Sequence, residues 1–326
     1  MLTRVRRVSC CALAVGAAVV LLSSCGSGSG GGSAGYSGPA VSVTLGALPV
    51  VDDVSAYIAL KEGIFKRYGL DVKIEPVLTS VLAIPMMKKG QIDILGGGNY
   101  VSFIEASAKS PGQLPFRILA EAATCSPGSF VILTLPSSGI QTPAQLEHKT
   151  IAVNLTQNIQ TLMINSVLSA DDVKASTVNY KPIAFPKMVA ALESHKVDAI
   201  SAVEPFVTSA EQKAGAVPIV DQCSGPDSDL PLSGYIATSA WAHQNPVAVQ
   251  RFQQAMAQAQ EIADSDRAEV EKALLTYVPG LTPVQAATIT LDQFPTSLDS
   301  VQLNRVSGLM QEAGLPHVQA SALING

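Results

Sequence analysis

The sequence predicts an α/β protein built from two similar lobes. Residues 41–77 show a period of two, then helical spacing, then a second extended run, which predicts a strand, a helix and a strand. Two later stretches resemble one another, because Gly90–Leu95 and His195–Ile200 each end a predicted helix and enter a predicted strand. Since the same kind of unit recurs along the chain, two α/β lobes are expected.

The first strand and helix follow from their residue types. Val41, Val43 and Leu45 alternate with small residues, which is typical of a strand with one buried face. After Pro49 come three candidate helix caps and then apolar residues at helical spacing. The caps are Asp52, Asp53 and Ser55, and the apolar residues are Val54, Tyr57, Ile58 and Leu60.

The rest of this unit completes a parallel connection. Gly63 ends the helix, and Gly69 permits the tight reversal that leads into a second strand over Asp71–Val77. In a parallel βαβ unit the loop after the first strand lies beside a helix N-terminus at the sheet's carboxyl edge, where open α/β sheets bind ligands. Asp52 and Asp53 are therefore candidate ligand contacts.

A known family shares the middle of this unit. Residues 59–72, ALKEGIFKRYGLDV, resemble the signature of the ABC-importer solute-binding proteins that take nitrate, sulfonates, taurine or thiamine precursors. The resemblance implies a periplasmic-binding-protein type II fold, with two lobes, mixed sheets flanked by helices and two strands crossing at the hinge. It also implies a monomer that holds a small solute between its lobes and delivers it to the permease subunits of an ABC transporter and their ATPase.

The amino terminus predicts export. Three arginines precede an apolar run over residues 8–22 that is short for a membrane span and suits a signal peptide. Leu22–Cys25 resembles a bacterial lipobox, which implies that residues 1–24 are removed and that Cys25 is acylated. The alternative is that Cys25 is an incidental thiol and that an ordinary signal peptidase cuts nearby. Because Arg6 and Arg7 are adjacent, both the general and the twin-arginine export routes stay open.

Residues 25–40 are rich in glycine and serine and predict a flexible tether. Two acyl chains would hold the protein firmly to the outer face of the cell membrane, since one chain alone binds only marginally. Loss of the three leader arginines leaves 18 basic and 26 acidic residues, a net charge of −8. This charge argues against a nucleic-acid partner.

The cysteines predict one disulfide. Cys10 and Cys11 lie in the signal segment and Cys25 would carry lipid, so Cys125 and Cys223 remain in an oxidising compartment. A bridge between them would stabilise the fold by about 4.7 kcal/mol in the chain-entropy account. Two buried free thiols are the alternative.

The predicted lobes have the following bounds. Lobe 1 comprises residues 41–124 and the helical segment 224–326, and lobe 2 comprises residues 125–223, with the crossings near the two cysteines. The spacing within each lobe agrees, because Ile92 follows Val43 by 49 positions and Val197 follows Ile151 by 46. The family usually has glycine where His195 stands, so that turn departs from the pattern.

Three further stretches are candidate ligand contacts, together with the two aspartates. Gly96–Asn99 follows a strand and opens a predicted helix, so close backbone approach and free N–H groups are available there. A second helix start follows the first strand of lobe 2. Glu204 and Pro205 resemble a Glu-Pro pair that starts a helix at the cleft in the family, although helix capping explains them nearly as well. The residues chosen are Gly97, Gly98, Asn99, Tyr100, Thr156, Gln157, Asn158 and Glu204.

The last third of the chain reads as helices that pack on lobe 1. Two apolar stripes at helical spacing support this prediction. One contains Val249, Phe252, Met256 and Ala259, and the other contains Val306, Leu309, Met310 and Ala313.

Nothing in the sequence predicts catalysis, a metal site or a cofactor. The hydrolase, metalloprotease and Walker motifs are absent, and the four histidines are widely separated. The rival interpretations are a two-lobed enzyme of vitamin biosynthesis and an extracytoplasmic sensor or adhesin that presents its ligand to another protein. For a binding protein, Asp52, Asp53 and Glu204 would repel an anion, so the sequence favours a neutral or cationic nitrogen compound over a sulfonate or nitrate.

Overall fold

The computed structural model describes residues 36, 38–110 and 115–324. The predicted signal segment, Cys25 and nearly all of the tether lie outside the described residues. Within the described part of the chain, no helix combines the length and apolar character needed to cross a membrane.

Ten strands and twelve α-helices make up the described chain. The strands are β1 (Val41–Ala47), β2 (Leu70–Pro76), β3 (Ile94–Asn99), β4 (Phe116–Thr124), β5 (Phe130–Thr134), β6 (Thr150–Val153), β7 (Asn179–Pro182), β8 (Ala199–Val203), β9 (Val217–Asp221) and β10 (Pro231–Thr238). The helices are α1 (Val54–Lys61), α2 (Ile64–Arg67), α3 (Ser80–Lys88), α4 (Tyr100–Ala108), α5 (Ile159–Ala170), α6 (Phe185–Glu193), α7 (Phe206–Ala214), α8 (Ser239–Gln244), α9 (Pro246–Ser265), α10 (Arg267–Tyr277), α11 (Pro283–Thr288) and α12 (Ser300–Glu312).

The strands form two mixed sheets with the same internal logic. The first sheet has the order β2-β1-β3-β10-β4 and the second has the order β7-β6-β8-β5-β9. In the first, β1 is parallel to β2 and β3, and β10 is antiparallel to its neighbours. In the second, β6 is parallel to β7 and β8, and β5 is antiparallel to its neighbours. Each sheet with its helices is one lobe, so the predicted two-lobed α/β fold is confirmed; the residue bounds given above for the lobes stay a prediction.

A pair of hydrogen bonds repeats between the lobes. Asp93 Oδ2 accepts the N–H of Thr44 at 2.8 Å in lobe 1, and Asp198 Oδ2 accepts the N–H of Thr150 at 2.8 Å in lobe 2. Each aspartate also donates its own N–H to the carbonyl of the same threonine, at 2.9 Å. The two stretches that resemble one another in sequence therefore occupy equivalent positions.

The turn at His195 has the geometry that glycine adopts in lobe 1. Its φ is +52°, and φ of Gly90 at the equivalent turn is +67°. This left-handed conformation is unfavourable for a residue with a Cβ. The turn is thus kept in lobe 2 although the residue that suits it best is missing.

The structure corrects two local predictions around the glycine run. β3 continues through Asn99, whereas the sequence predicted a strand that ends at Leu95 and a glycine loop after it. The helix that follows begins at Tyr100 as predicted. Asn99 is the residue type that usually caps such a helix start and is predicted to do so, but its side chain makes no capping hydrogen bond. The pairing with β1 ends at Leu95, whereas β10 also pairs with Gly98 and Asn99, and this pairing extends the strand past Leu95.

The two C-terminal apolar stripes pack differently. The stripe on α9 is buried against the first sheet together with α1 and α2, as predicted. α12 packs on α4 of lobe 1 but also contacts α5 of lobe 2. The packing on lobe 1 is as predicted, and Leu309 and Ala313 also line an open groove between α12 and α5 together with Ser166.

The lobes are packed against each other. One apolar cluster includes Tyr100 and Ile118 of lobe 1 and Ile159 and Met188 of lobe 2. Beside the crossing strands, Cys125 and Cys223 are both buried, with their Cα atoms 5.4 Å apart. The shared apolar cluster indicates that the two lobes are closed on each other.

Candidate functional site

A cavity lies between the two lobes and is here named the interlobe cavity. Its volume is about 60 Å³, several times the 10–15 Å³ that one water requires. Both lobes line it. The lining residues are Leu48, Val50, Asp52, Ser80, Gly97, Asn99, Phe130, Asn154, Leu155, Asn158, Ile159, Gln160, Phe185, Val203, Leu232 and Ser233.

Equivalent hydrogen bonds hold the first cavity loop of each lobe. In lobe 1 the N–H of Leu48 donates to Asp53 Oδ2 at 2.7 Å. In lobe 2 the N–H of Asn154 donates to Gln160 Oε1 at 2.6 Å, and Gln160 in turn donates to the Ser201 carbonyl at 2.5 Å. Both loops follow the first strand of their lobe, so each wall of the cavity is fixed by a buried side chain a few residues further along.

The glycines of β3 make room for Asp53. A Cβ added to Gly96 would overlap Asp53 Oδ1 and lie 2.9 Å from Cε1 of Tyr235. A Cβ on Gly97 would lie 2.8 Å from Asp53 Oδ2, and φ of Gly97 is +56°. The sequence assigned these glycines to close approach of a ligand, and the structure shows that they allow close approach of a carboxyl group.

Asp52 is the one ionisable side chain among the described residues that line the interlobe cavity. It follows β1 in a short 3-10 turn and is 8% exposed. Ser233 Oγ of β10 donates to Asp52 Oδ2 at 2.5 Å. Burial raises the pKa of Asp52, against the opposing effect of the Ser233 hydrogen bond. A positive charge in the cavity would favour the ionised form of this carboxyl.

Two asparagines add polar groups without a protein partner. The backbone N–H of Asn99 donates to Ser80 Oγ at 3.0 Å, but Asn99 Oδ1 is buried and has no hydrogen-bond partner. Asn154 Oδ1 is likewise buried and unpartnered. One residue lies on each lobe, and a buried polar atom left without a partner is costly, so both side chains are candidates for contact with a bound solute.

Further carboxyl groups are buried next to this site. Asp53 is fully buried and Glu204 is 2% exposed, and Asp292 is also buried. Burial raises the pKa of Glu204 to about 7, and it raises the pKa values of Asp53 and Asp292 well above the ordinary range. Asp52 contributes to the last two shifts by repulsion. Among the described residues, no group of three or more histidine, cysteine or acidic side chains is arranged to hold a metal ion.

The predicted ligand contacts divide into two groups. Asp52, Gly97, Asn99 and Asn158 line the interlobe cavity, and Asn158 also caps α5 by accepting the N–H of Thr161 at 3.2 Å. The other six lie outside the lining: Thr156 and Gln157 are exposed, and Asp53, Gly98, Tyr100 and Glu204 lie behind the wall or within elements. Contact of any of the ten with a solute stays a prediction.

Several lining residues were not foreseen. Asn154 follows β6 as Leu48 follows β1, so the internal repeat carried a signal for it. Ser233 and Phe185 reach the cavity from distant parts of the chain, and no local pattern marks them. Phe185 stacks on Phe206, with ring centroids 5.9 Å apart, and gives lobe 2 an apolar wall.

This architecture defines a class, the two-lobed periplasmic solute-binding fold. The alkanesulfonate-binding protein SsuA of Xanthomonas axonopodis pv. citri, bound to MOPS, has a TM-score of 0.72 at 17% identity over 88% of this chain and 98% of its own. The nitrate-binding protein NrtA of Synechocystis gives 0.72 at 14% identity over 88% and 85%. The aliphatic sulphonate-binding protein SsuA of Escherichia coli gives 0.68 at 19% identity over 88% and 97%. At such identities the likeness establishes the fold.

Family membership comes from the sequence itself. The model of the NMT1/THI5-like family matches residues 52–269, about two thirds of the chain, and the protein belongs to that family. The resemblance drawn from residues 59–72 is thereby confirmed. Among curated protein sequences, none matches this chain significantly.

Proposed function

We propose that this protein is the solute-binding lipoprotein of an ABC importer. It captures a small solute in the interlobe cavity, closes around it and delivers it to a permease and its ATPase. The observation that carries the proposal is the cavity itself, which both lobes line with polar groups that lack protein partners. Family membership and the fold of the sulfonate-binding and nitrate-binding proteins support it.

The solute in this proposal is a neutral or cationic nitrogen compound. Asp52 is the ionisable group of the described lining, and no lysine, arginine or histidine lies among those residues. An anion would meet a buried carboxyl with no counter-charge, and desolvation would make that contact costly. In this proposal, the protein shares its fold with structural neighbours that are named for sulfonates or nitrate, but its cavity has the opposite charge preference.

Closure in this proposal is driven by the solute. A ligand shifts a conformational equilibrium only by as much as it binds one state better than the other. Asp52 and Asn99 of lobe 1 and Asn154 of lobe 2 offer contacts that a solute makes together only when the lobes are closed.

A thermal-shift screen tests the proposal. The panel contains amines, pyrimidines, aliphatic sulfonates, nitrate and bicarbonate. A solute at a hundred times its Kd should add about 2.7 kcal/mol to the free energy of unfolding, which raises the melting temperature by several degrees. Recovery of the bound solute unchanged supports the importer, and recovery of a product supports an enzyme instead. Binding of sulfonate or nitrate in preference to every amine and pyrimidine would contradict the proposed solute class.

We also propose that the protein is exported, anchored through acylated Cys25, and oxidised at Cys125 and Cys223. The short distance between the two cysteine Cα atoms, 5.4 Å, lies within the usual range for a bridge. Titration of free thiols in the unfolded, unreduced protein should find neither of these two cysteines reactive. Two reactive thiols at these positions would contradict the bridge. Mass spectrometry of the N-terminal peptide should find Cys25 at the new N-terminus with its acyl chains.

A further inference from the structure

Glu204 lies where lobe 2 meets lobe 1. It follows β8 directly and precedes α7, and it is almost completely buried without lining the interlobe cavity. Within its own lobe, its carboxylate accepts the N–H of Thr208 at 3.1 Å and the hydroxyl of Thr208 at 2.8 Å. These two bonds fix the side chain at the start of α7.

The same residue makes two hydrogen bonds to lobe 1. Glu204 Oε1 accepts the N–H of Thr290 at 3.0 Å, and the Glu204 carbonyl accepts the N–H of Val51 at 3.3 Å. Val51 and Ile289, the neighbour of Thr290, belong to one apolar cluster with α1 and α10. Val51 also precedes Asp52 in the 3-10 turn at the cavity wall. Glu204 therefore connects lobe 2 to the backbone that carries the cavity's acidic side chain.

The surroundings of Glu204 contain acids and no base that acts on it. Glu211 of α7 repels its charge, and Glu204 repels Asp292, which lies two positions after Thr290. Asp52 follows Val51 in the 3-10 turn that contacts Glu204. Burial is the largest cause of the raised pKa of Glu204, the hydrogen bonds from Thr290 and Thr208 oppose it, and repulsion by Glu211 adds the smallest contribution.

We propose that Glu204 is an interlobe latch that couples lobe closure to the uptake of one proton. In the closed form the neutral carboxyl is buried against lobe 1, and in the open form water reaches it and it ionises. It is a positioning residue, because it holds the turn that carries Asp52 and does not line the interlobe cavity. The inference rests on the proposed function in one respect, which is that closure of the lobes retains the solute.

The direction of the pH effect follows from the two forms. Burial raises the pKa of Glu204 to about 7 in the closed form, and an exposed glutamate has a pKa near 4.3. The closed form thus binds more protons, so closure weakens as the pH rises above the ordinary glutamate pKa and becomes independent of pH above about 7. For these two values, the closing equilibrium constant falls about tenfold between pH 6 and pH 8.

Hydrogen exchange tests the latch without any solute. The amides of Val51 and Thr290 donate to Glu204, so their protection reports the contact directly. After correction for the intrinsic rate, we expect their protection to fall about tenfold between pH 6 and pH 8 in the wild-type protein. The Asn154 amide serves as an internal control, because its acceptor, Gln160, lies in the same lobe and does not titrate.

Three variants separate a latch from a merely structural role. Glu204→Gln should leave the protection of Val51 and Thr290 independent of pH. Thr208→Val should move the midpoint to higher pH, since it removes a hydroxyl that stabilises the charged form. Glu211→Gln removes the smallest of the contributions to the raised pKa of Glu204, so it should keep the pH dependence and move its midpoint only slightly to lower pH. A flat wild-type profile, or a pH dependence that persists in Glu204→Gln, would overturn the latch. Because no solute is used, this result is independent of the solute screen.

Discussion

Asp52→Asn should weaken the binding of a cationic solute by about thirtyfold, the largest effect expected of any single conservative change at the site. Loss of one partner from a buried charge pair costs about 2 kcal/mol or more, and 1.4 kcal/mol corresponds to a factor of ten in Kd. Asn retains the shape of the side chain and an oxygen that accepts the Ser233 hydroxyl, so the change removes charge with little disturbance of packing. The measurement is calorimetric titration of the best amine or pyrimidine from the thermal-shift panel.

Asp53→Asn is the matched control. Its side chain is fully buried behind the cavity wall and accepts the Leu48 N–H, a role that the asparagine oxygen can keep. We expect Kd to change by less than about threefold, because a separated charge interacts more weakly than a contacting one. Methanesulfonate should bind Asp52→Asn at least as well as the wild-type protein. Tighter cation binding by Asp52→Asn, or loss of anion binding in it, would overturn the charge argument.

Cation binding should also release protons. Burial raises the pKa of Asp52 in the empty protein, and a cation in the cavity lowers that pKa again by attraction. Calorimetry in two buffers of different ionisation enthalpy measures the number of protons released. Asp52→Asn should abolish the part of the release that belongs to this group.

Gly96→Ala should destabilise the fold by about 3 kcal/mol. The added methyl group would overlap Asp53 Oδ1 and approach the Tyr235 ring, and both neighbours are fully buried. Forcing an extra carbon into a packed interior costs about 1–3 kcal/mol, and here the displaced carboxyl also loses the Leu48 N–H. Chemical denaturation should show a lower midpoint, with a slope close to that of the wild-type protein.

Gly308→Ala provides the opposite outcome from the same chemical change. Gly308 lies inside α12, its Cβ would meet nothing within 4 Å, and its φ needs no glycine. Alanine in a helix interior is favoured over glycine by about 0.5–1 kcal/mol. This variant should therefore be more stable than the wild-type protein. Equal stability changes in the two variants would show that close packing around Asp53 does not explain the glycine at position 96.

The latch and the charge of Asp52 predict opposite responses to pH. A cation binds more tightly as the pH rises, since Asp52 ionises more readily, whereas closure weakens over the range in which Glu204 loses its proton. The two effects are separable because Asp52→Asn removes the first and Glu204→Gln removes the second. A neutral solute should show the second effect alone.

The sequence by itself determined the features that depend on neighbouring residues and on repetition. Alternation in Val41–Leu45 and helical spacing from Val54 predicted β1 and α1, since side-chain periods of two and 3.6 are properties of the local backbone. The similarity of Gly90–Leu95 and His195–Ile200 predicted two equivalent lobes, and Asp93 and Asp198 do make equivalent hydrogen bonds. Residues 59–72 were enough to indicate the family.

Tertiary structure alone decided which polar groups face the cavity. Asp52 and Asp53 are adjacent and equally acidic in the sequence, yet one lines the cavity and the other is buried against Gly96. Likewise, Ser233 lies 181 positions from Asp52 and donates a hydrogen bond to it. Side-chain direction within a turn and contacts between distant segments are set by how strands and lobes pack, and packing depends on the whole chain at once.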